Sequence, residues 1–233
     1  MTNGRDSDIN PRIGKRFEVF GELGEGGEAC VLAVHDRLCQ LRRAIKIAPH
    51  KRFRSDFRSE FQKLSQLRHP NIVRAYDYDE TPEGLPYYTM EWVEGVSLVE
   101  FSQRDQPEVL AVIALQILDA LSTIHARGWV HRDIKPSNML IVGEGRGALV
   151  RLIDMGLMTS AGRPSSVSGT LPYIAPEITR KEMCDARSDL YSLGVVLYEA
   201  LIPEAVALTT EDVIQFRRSL LPPHQLNPSI PQG

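Results

Sequence analysis

From Phe17 to Ala48 apolar residues come in short runs. "FEVFGEL", "ACVLAVHD" and "RRAIKIA" are separated by Gly-rich or polar turns and predict three strands. The period then changes. Phe53, Phe57, Phe61, Leu64 and Leu67 are spaced by three and four in "FRSDFRSEFQKLSQL", the signature of an amphipathic helix. "HPNIVRAYDYDE" and "PYYTMEWVEG" read as two further strands around a turn at "TPEG". Beyond Gly95 the pattern becomes helical, with Leu110, Ile113, Ile117, Leu121 and Ile124 on one face. Pro107 suits the first turn of that helix and Gly128 its end. Residues 139–154 predict a hairpin turning at "GEGRG", followed by a loop to about Pro176. "SDLYSLGVVLYEAL" predicts a helix apolar nearly all round, hence buried. Residues 1–15 are polar and predict a disordered leader, and the last residues, "LLPPHQLNPSIPQG", are Pro-rich and irregular.

Composition narrows the class. The chain has 233 residues, 42% of them hydrophobic and 24% charged, enough for one large domain or two lobes. A net charge of −3 argues against a polybasic surface for nucleic acid or anionic membrane. The longest apolar run, "SLGVVLYEALI", is too short to span a bilayer and contains Glu199, so no membrane insertion is expected. Three cysteines without paired spacing point to a reducing compartment, and a cytoplasmic location is expected.

Three stretches carry candidate chemistry. Gly24, Gly26 and Gly27 in "LGEGGEACV" allow close backbone approach to a ligand, although such a loop also serves as a plain hairpin turn. Lys46 alternates onto the face of Ala44 and Ala48, where a flat group has room. A lone strand lysine would simply reach to water, but Glu60 falls on the apolar side of the following helix and needs a cation. In "HRDIKPSNML", Asp133 offers a proton acceptor, Lys135 a neighbouring positive charge, and Asn138 an amide oxygen for a hard cation. Asp154, leaving an apolar strand before Gly156, fits either a metal or a turn cap. Together these groups match what phosphoryl transfer from a magnesium-bound triphosphate requires.

On "GEGGEACV", "RAIK", Glu60, "HRDIKPSN", "DMG", "APE" and "SDLYSLG", in that order from Phe17 to Leu201, the sequence resembles the protein-kinase family, and within it the bacterial eukaryotic-like Ser/Thr kinases. The resemblance implies an α+β, two-lobed fold: a small β-rich lobe with one helix and a mostly helical large lobe. Residues 16–95 would form the small lobe and hinge, and 96–233 the large lobe. It implies ATP and Mg²⁺ as cofactors and a protein substrate with a Ser or Thr acceptor. Leu23, Gly24 and Gly26 would begin the phosphate-covering loop, Lys46 would hold phosphates with Glu60 as partner, and Asn138 and Asp154 would hold the metal. Val31, Ala44 and Leu140 would sandwich adenine, with Met90 as gatekeeper and Glu91 and Val93 contacting it through their backbones. Asp133 would take the hydroxyl proton, with Lys135 and Thr170 beside it. His131 would pack internally, its backbone anchored by Asp189. Arg132 would receive a phosphate placed on Ser165, Ser166 or Ser168, the bland alternative being a merely flexible loop.

Departures from the family pattern are specific. Ala29 stands where a third loop glycine is usual, and Met155 follows the metal-binding Asp in place of Phe. The family also carries further helices beyond the one starting near Asp189, one bearing an arginine for Glu177. The large lobe is therefore expected to lack its last helices, so that either the chain is a fragment of a longer protein with an additional C-terminal region or something else completes the lobe. A Ser/Thr protein kinase is the leading expectation. The alternative is a non-catalytic ATP-binding or scaffolding module.

Overall fold

Strands β1 (Phe17–Glu25), β2 (Cys30–Asp36) and β3 (Leu41–Ile47) form an antiparallel meander. With β4 (Ala75–Glu80) and β5 (Pro86–Glu91) they complete a five-stranded sheet in the order β1-β2-β3-β5-β4. The computed structural model describes residues 13–25, 29–102, 107–164, 166–202, 221–226, 228 and 230, and the disordered leader expected over residues 1–15 lies mostly outside them. Alternation gives the sheet two uses. Leu32, Val34, Ile45, Ile47 and Tyr87 gather with Ile13 and Phe17 into one apolar cluster. The alternate positions Ala33, Ala44, Lys46 and Met90 are buried too.

Helix α1 (Arg54–Gln66) follows a 3₁₀ turn at Lys51–Phe53 and buries Phe57, Glu60 and Leu64. It packs on β4 and β5. Leu67 leaves it in an extended conformation, and the residues after it do not continue as strand. The expected strand from His69 is therefore shorter, confined to Ala75–Glu80. Pro70 has no N–H for a ladder, and Asn71 is committed elsewhere.

Residues 69–72 and 93–233 make a second compact unit, distinct from 1–68 with 73–92. Its small sheet runs β6 (Val96–Ser97), β8 (Met139–Val142), β9 (Leu149–Leu152). A Cβ at Gly95 would lie 2.6 Å from the Ile141 carbonyl oxygen, so the approach to β6 admits only glycine. After the short helix α2 (Leu98–Ser102), α3 (Pro107–His125) buries Ile113, Ile117, Leu121 and Ile124. Its stretch Glu108–His125 is long and apolar enough to cross a membrane by composition, a property the sequence reading missed by scanning only unbroken apolar runs. Here that apolar face packs on β9 and α5 (Ala186–Leu201). Gly128, at φ +72, takes the left-handed conformation that ends the helical segment.

A buried amide network ties α3 to β9. Asn71 Nδ2 donates to Gln116 Oε1 at 2.7 Å and to the Val150 carbonyl at 2.9 Å. Gln116 in turn donates to Ala148 O and accepts from Val150 N. Helix α5 is capped by Asp185, which accepts from Arg187 N. It is not apolar all round where it is deepest. Ser188, Asp189 and Ser192 are its most buried polar positions, while Leu190 is 45% exposed. Those polar groups face inward because each has a partner there.

Candidate active site

In the first unit, strand pairing places Val31 opposite Lys46, Lys46 opposite Tyr88, and Ala44 opposite Met90. Directly opposed residues share a face, so Val31, Ala44, Lys46, Tyr88 and Met90 lie on one side of this sheet. Lys46 Nζ and Glu60 Oε1 lie 2.7 Å apart, with side chains only 10% and 6% exposed. The Tyr88 hydroxyl donates to the same Glu60 oxygen at 2.8 Å. Sequence reasoning missed Tyr88, since a tyrosine in "PYYTME" reads as packing. Leu23 and Gly24 are exposed on β1, Val31 is half-buried, and the Glu91 N–H is engaged by Arg74 O. Gly26 lies outside the described residues.

In the second unit the loop after β7 (Trp129–Val130) is held by one carboxylate. Asp189, fully buried, accepts from His131 N at 2.8 Å and from Arg132 N at 2.9 Å. His125 Nε2 also donates to Asp189, at 2.7 Å, and nothing in the sequence reading pointed to that histidine. Arg132 sits at φ +70, a conformation costing an L-residue about 1–2 kcal/mol, which the Asp189 bonds offset. Burial, opposed by the nearby Asp189, pushes the His131 imidazole below its ordinary pKa. The ring is therefore neutral. Its Nδ1 accepts from Asp133 N, which leaves the proton on Nε2, and Nε2 has no partner among the described residues.

Asp133 is fixed from several sides. Thr170 Oγ1 donates to its Oδ1 at 2.8 Å, and Lys135 Nζ lies 2.7 Å from its Oδ2. Lys135 also donates to Thr170 Oγ1 at 2.9 Å, closing a triangle of carboxylate, ammonium and hydroxyl. Asn138 Nδ2 donates to Asp133 Oδ2 at 3.1 Å and to its carbonyl at 2.9 Å. The amide's donor end is thus turned to Asp133, which presents its oxygen elsewhere.

The β8–β9 hairpin then sets Asp154. Met139 pairs with Leu152, and Ile153 N donates to Asn138 O at 3.1 Å, so Asn138 and Asp154 leave the same end of the hairpin. Asp154 Oδ1 accepts from Gly156 N. An amide oxygen and a carboxylate form an all-oxygen donor set that fits Mg²⁺, and the residues present are compatible with it. Met155, in place of the family's Phe, is 1% exposed and fills its site. Leu140, beside Asn138 in sequence, is half-buried.

The segment after Asp154 returns to the same loop. β10 (Thr159–Ser160) pairs with β7. Arg132 Nη2 donates to Ser168 Oγ at 2.8 Å and to Ser166 O at 3.1 Å, while its buried Nε has no acceptor among the described residues. Ser165 lies outside the described residues. Glu177, in the first turn of α4 (Pro176–Thr179), accepts from Ser188 Oγ at 2.6 Å. Burial and the Glu199 carboxylate raise the Tyr173 hydroxyl pKa, and that hydroxyl donates to Glu199.

Comparison with known proteins gives the family. The protein kinase domain model matches residues 17–224, and the chain belongs to the protein kinase family. It is 34% identical to serine/threonine-protein kinase PrkC of Bacillus subtilis over 97% of this chain and 37% of the relative. It is 37% identical to serine/threonine-protein kinase PknB of Mycolicibacterium smegmatis, over 82% of this chain and 33% of that protein. PknB of Mycobacterium leprae is 34% identical over 94% of this chain and 38% of its own length. The chain spans roughly a third of these relatives. The two-lobed class read from the sequence is that of this family, with a five-stranded sheet in one unit and a mostly helical second unit.

Proposed function

We propose that the chain is the catalytic domain of a serine/threonine protein kinase, transferring the γ-phosphoryl group of Mg-ATP to a protein Ser or Thr hydroxyl. Residues 16–95 serve as small lobe and hinge, and 96–233 as the large lobe. The observation that carries the reading is the Asp133–Lys135–Thr170 triangle, a proton acceptor held beside a cation and a hydroxyl.

In this reading Asp133 orients the acceptor hydroxyl and takes its proton as the new O–P bond forms. Lys135 neutralises charge on the transferred group, and Thr170 keeps Asp133 and Lys135 in register. Lys46, fixed by Glu60, grips phosphate oxygens, and the leading edge of the loop at Leu23, Gly24 and Gly26 covers them. Val31, Ala44, Met90, Glu91, Val93 and Leu140 surround the adenine. Asn138 and Asp154 hold the magnesium ion, which when bound offsets the charge of the phosphates.

The Ser/Thr preference rests on Lys135 and Thr170 and on the relatives' names. Arg132 receives a phosphate on Ser166 or Ser168, with Ser165 a third acceptor. Support comes from its existing bond to Ser168 and the buried Nε donor that phosphate would satisfy. Three cysteines without paired spacing fit a reducing, cytoplasmic location, and the net charge of −3 fits protein rather than nucleic acid partners.

The test is intact-mass spectrometry after incubation with Mg-ATP and a generic basic protein. Phosphoryl additions that fall by orders of magnitude in Asp133→Asn are expected. A folded protein that binds ATP and transfers nothing would overturn the reading in favour of a non-catalytic scaffold.

A further inference from the structure

The outward side of α1 carries a concentration of positive charge in a chain whose net charge is −3. With Phe57, Glu60 and Leu64 turned inward, Arg52, Arg54, Ser55, Arg58, Ser59 and Gln62 line an open concavity of about 540 Å³. Three arginines, two serines and a glutamine surround it, and no carboxylate residue is among them. Arg54 and Arg58 stand four residues apart, a spacing at which like charges destabilise a helix. Arg54 is partly relieved, donating to Glu80 Oε2 at 2.7 Å. Arg52 lies over the Phe53 ring at 4.9 Å. Arg58 is exposed and has no hydrogen bond or ion pair among the described residues. The nearest acid on the helix, Asp56, is not part of the lining.

Such a set suits a doubly charged, tetrahedral oxyanion. A phosphate monoester carries about −1.5 to −2 charge and three acceptor oxygens, and guanidinium forks bind it with two parallel bonds. The concavity has room for one phosphorylated side chain and its neighbours. Ser55, Ser59 and Gln62 supply the neutral donors and acceptors that a peptide backbone uses.

We propose that the arginine-lined concavity on α1 binds a phosphoserine- or phosphothreonine-bearing peptide segment. The inference concerns binding alone and does not rest on the catalytic reading. It also gives the helix that carries Glu60 a ligand on its opposite side.

The experiment is fluorescence anisotropy with a labelled phosphothreonine peptide of otherwise neutral residues, at low salt and without ATP. The expected result is binding at least about tenfold tighter than that of the unphosphorylated peptide. Arg58→Gln should weaken it by about tenfold, Arg52→Gln with Arg58→Gln should weaken it further, and Arg37→Gln, at a distant exposed ion pair, should leave it unchanged. Circular dichroism confirms that the exposed Arg→Gln variants remain folded. Equal binding of the unphosphorylated peptide, equal binding of a glutamate-substituted peptide, or full affinity in the double variant would each overturn the proposal. So would Arg58-dependent binding to anionic lipid vesicles that exceeds binding to the phosphopeptide.

Discussion

Replacing Lys46 by Met takes away the cation 2.7 Å from the buried Glu60 carboxylate, which keeps the Tyr88 hydroxyl as a donor. Removing one member of a buried pair costs about 3–5 kcal/mol, because the stranded charge keeps its full desolvation penalty. With Glu60 at 6% exposure and Lys46 at 10%, the upper part of that range applies. Glu60→Leu strands the ammonium instead and should cost a similar amount. The double variant, Lys46→Met with Glu60→Leu, removes both charges and fills the volume with apolar atoms. It should recover most of the loss, leaving a net change of about 1 kcal/mol, chiefly from the hydrogen bond that Tyr88 no longer makes to Glu60. Urea denaturation followed by Trp92 fluorescence gives the three stabilities and hence the coupling energy. If the double variant is as unstable as the two losses added together, the pair is not the coupled unit described here. In the proposed function both single variants also lose phosphoryl transfer, and the double variant should stay inactive while regaining stability. That separation of stability from activity distinguishes a functional lysine from a structural one.

Two further outcomes follow from local geometry. Burial pushes the Asp36 carboxyl up, but the Arg16 guanidinium and the Leu38 N–H more than reverse this, holding it at about 2 rather than 3.8. A depressed carboxylate pKa contributes stability above pH 3.8 that is lost as pH falls through 2. Asp36→Asn should therefore cost roughly 2 kcal/mol at pH 7 and flatten the stability profile between pH 5 and 2, measured by denaturation across that range. Replacing Ser165, Ser166 and Ser168 together by Ala should lower the rate of phosphoryl transfer severalfold without lowering the melting temperature, and an unchanged rate would remove the regulatory role given to Arg132.

The sequence by itself determined β1 to β3, α1 and α3 and their inward faces. Alternation in "RRAIKIA" and three-four spacing in α1 follow from the period of each backbone, which neighbours in the chain dictate. The same locality made the loop around Asp133 legible, since Asn138 is five residues away and its amide reaches back to Asp133. Glu60 on an apolar face signalled the need for a cation. Tertiary structure decided what arrives from farther along the chain. Tyr88 joins Glu60 from 28 residues away, and His125 reaches Asp189 across 64. Asn71 leaves its expected strand to bind Val150, 79 residues on. Each of these polar residues lies in a stretch whose periodicity is satisfied by packing alone. Their roles arise only where burial removes water and a particular donor must meet a particular acceptor. The arginine-lined side of α1 belongs to the same class: the residues are plain in the sequence, but the concavity they share exists only in the folded chain.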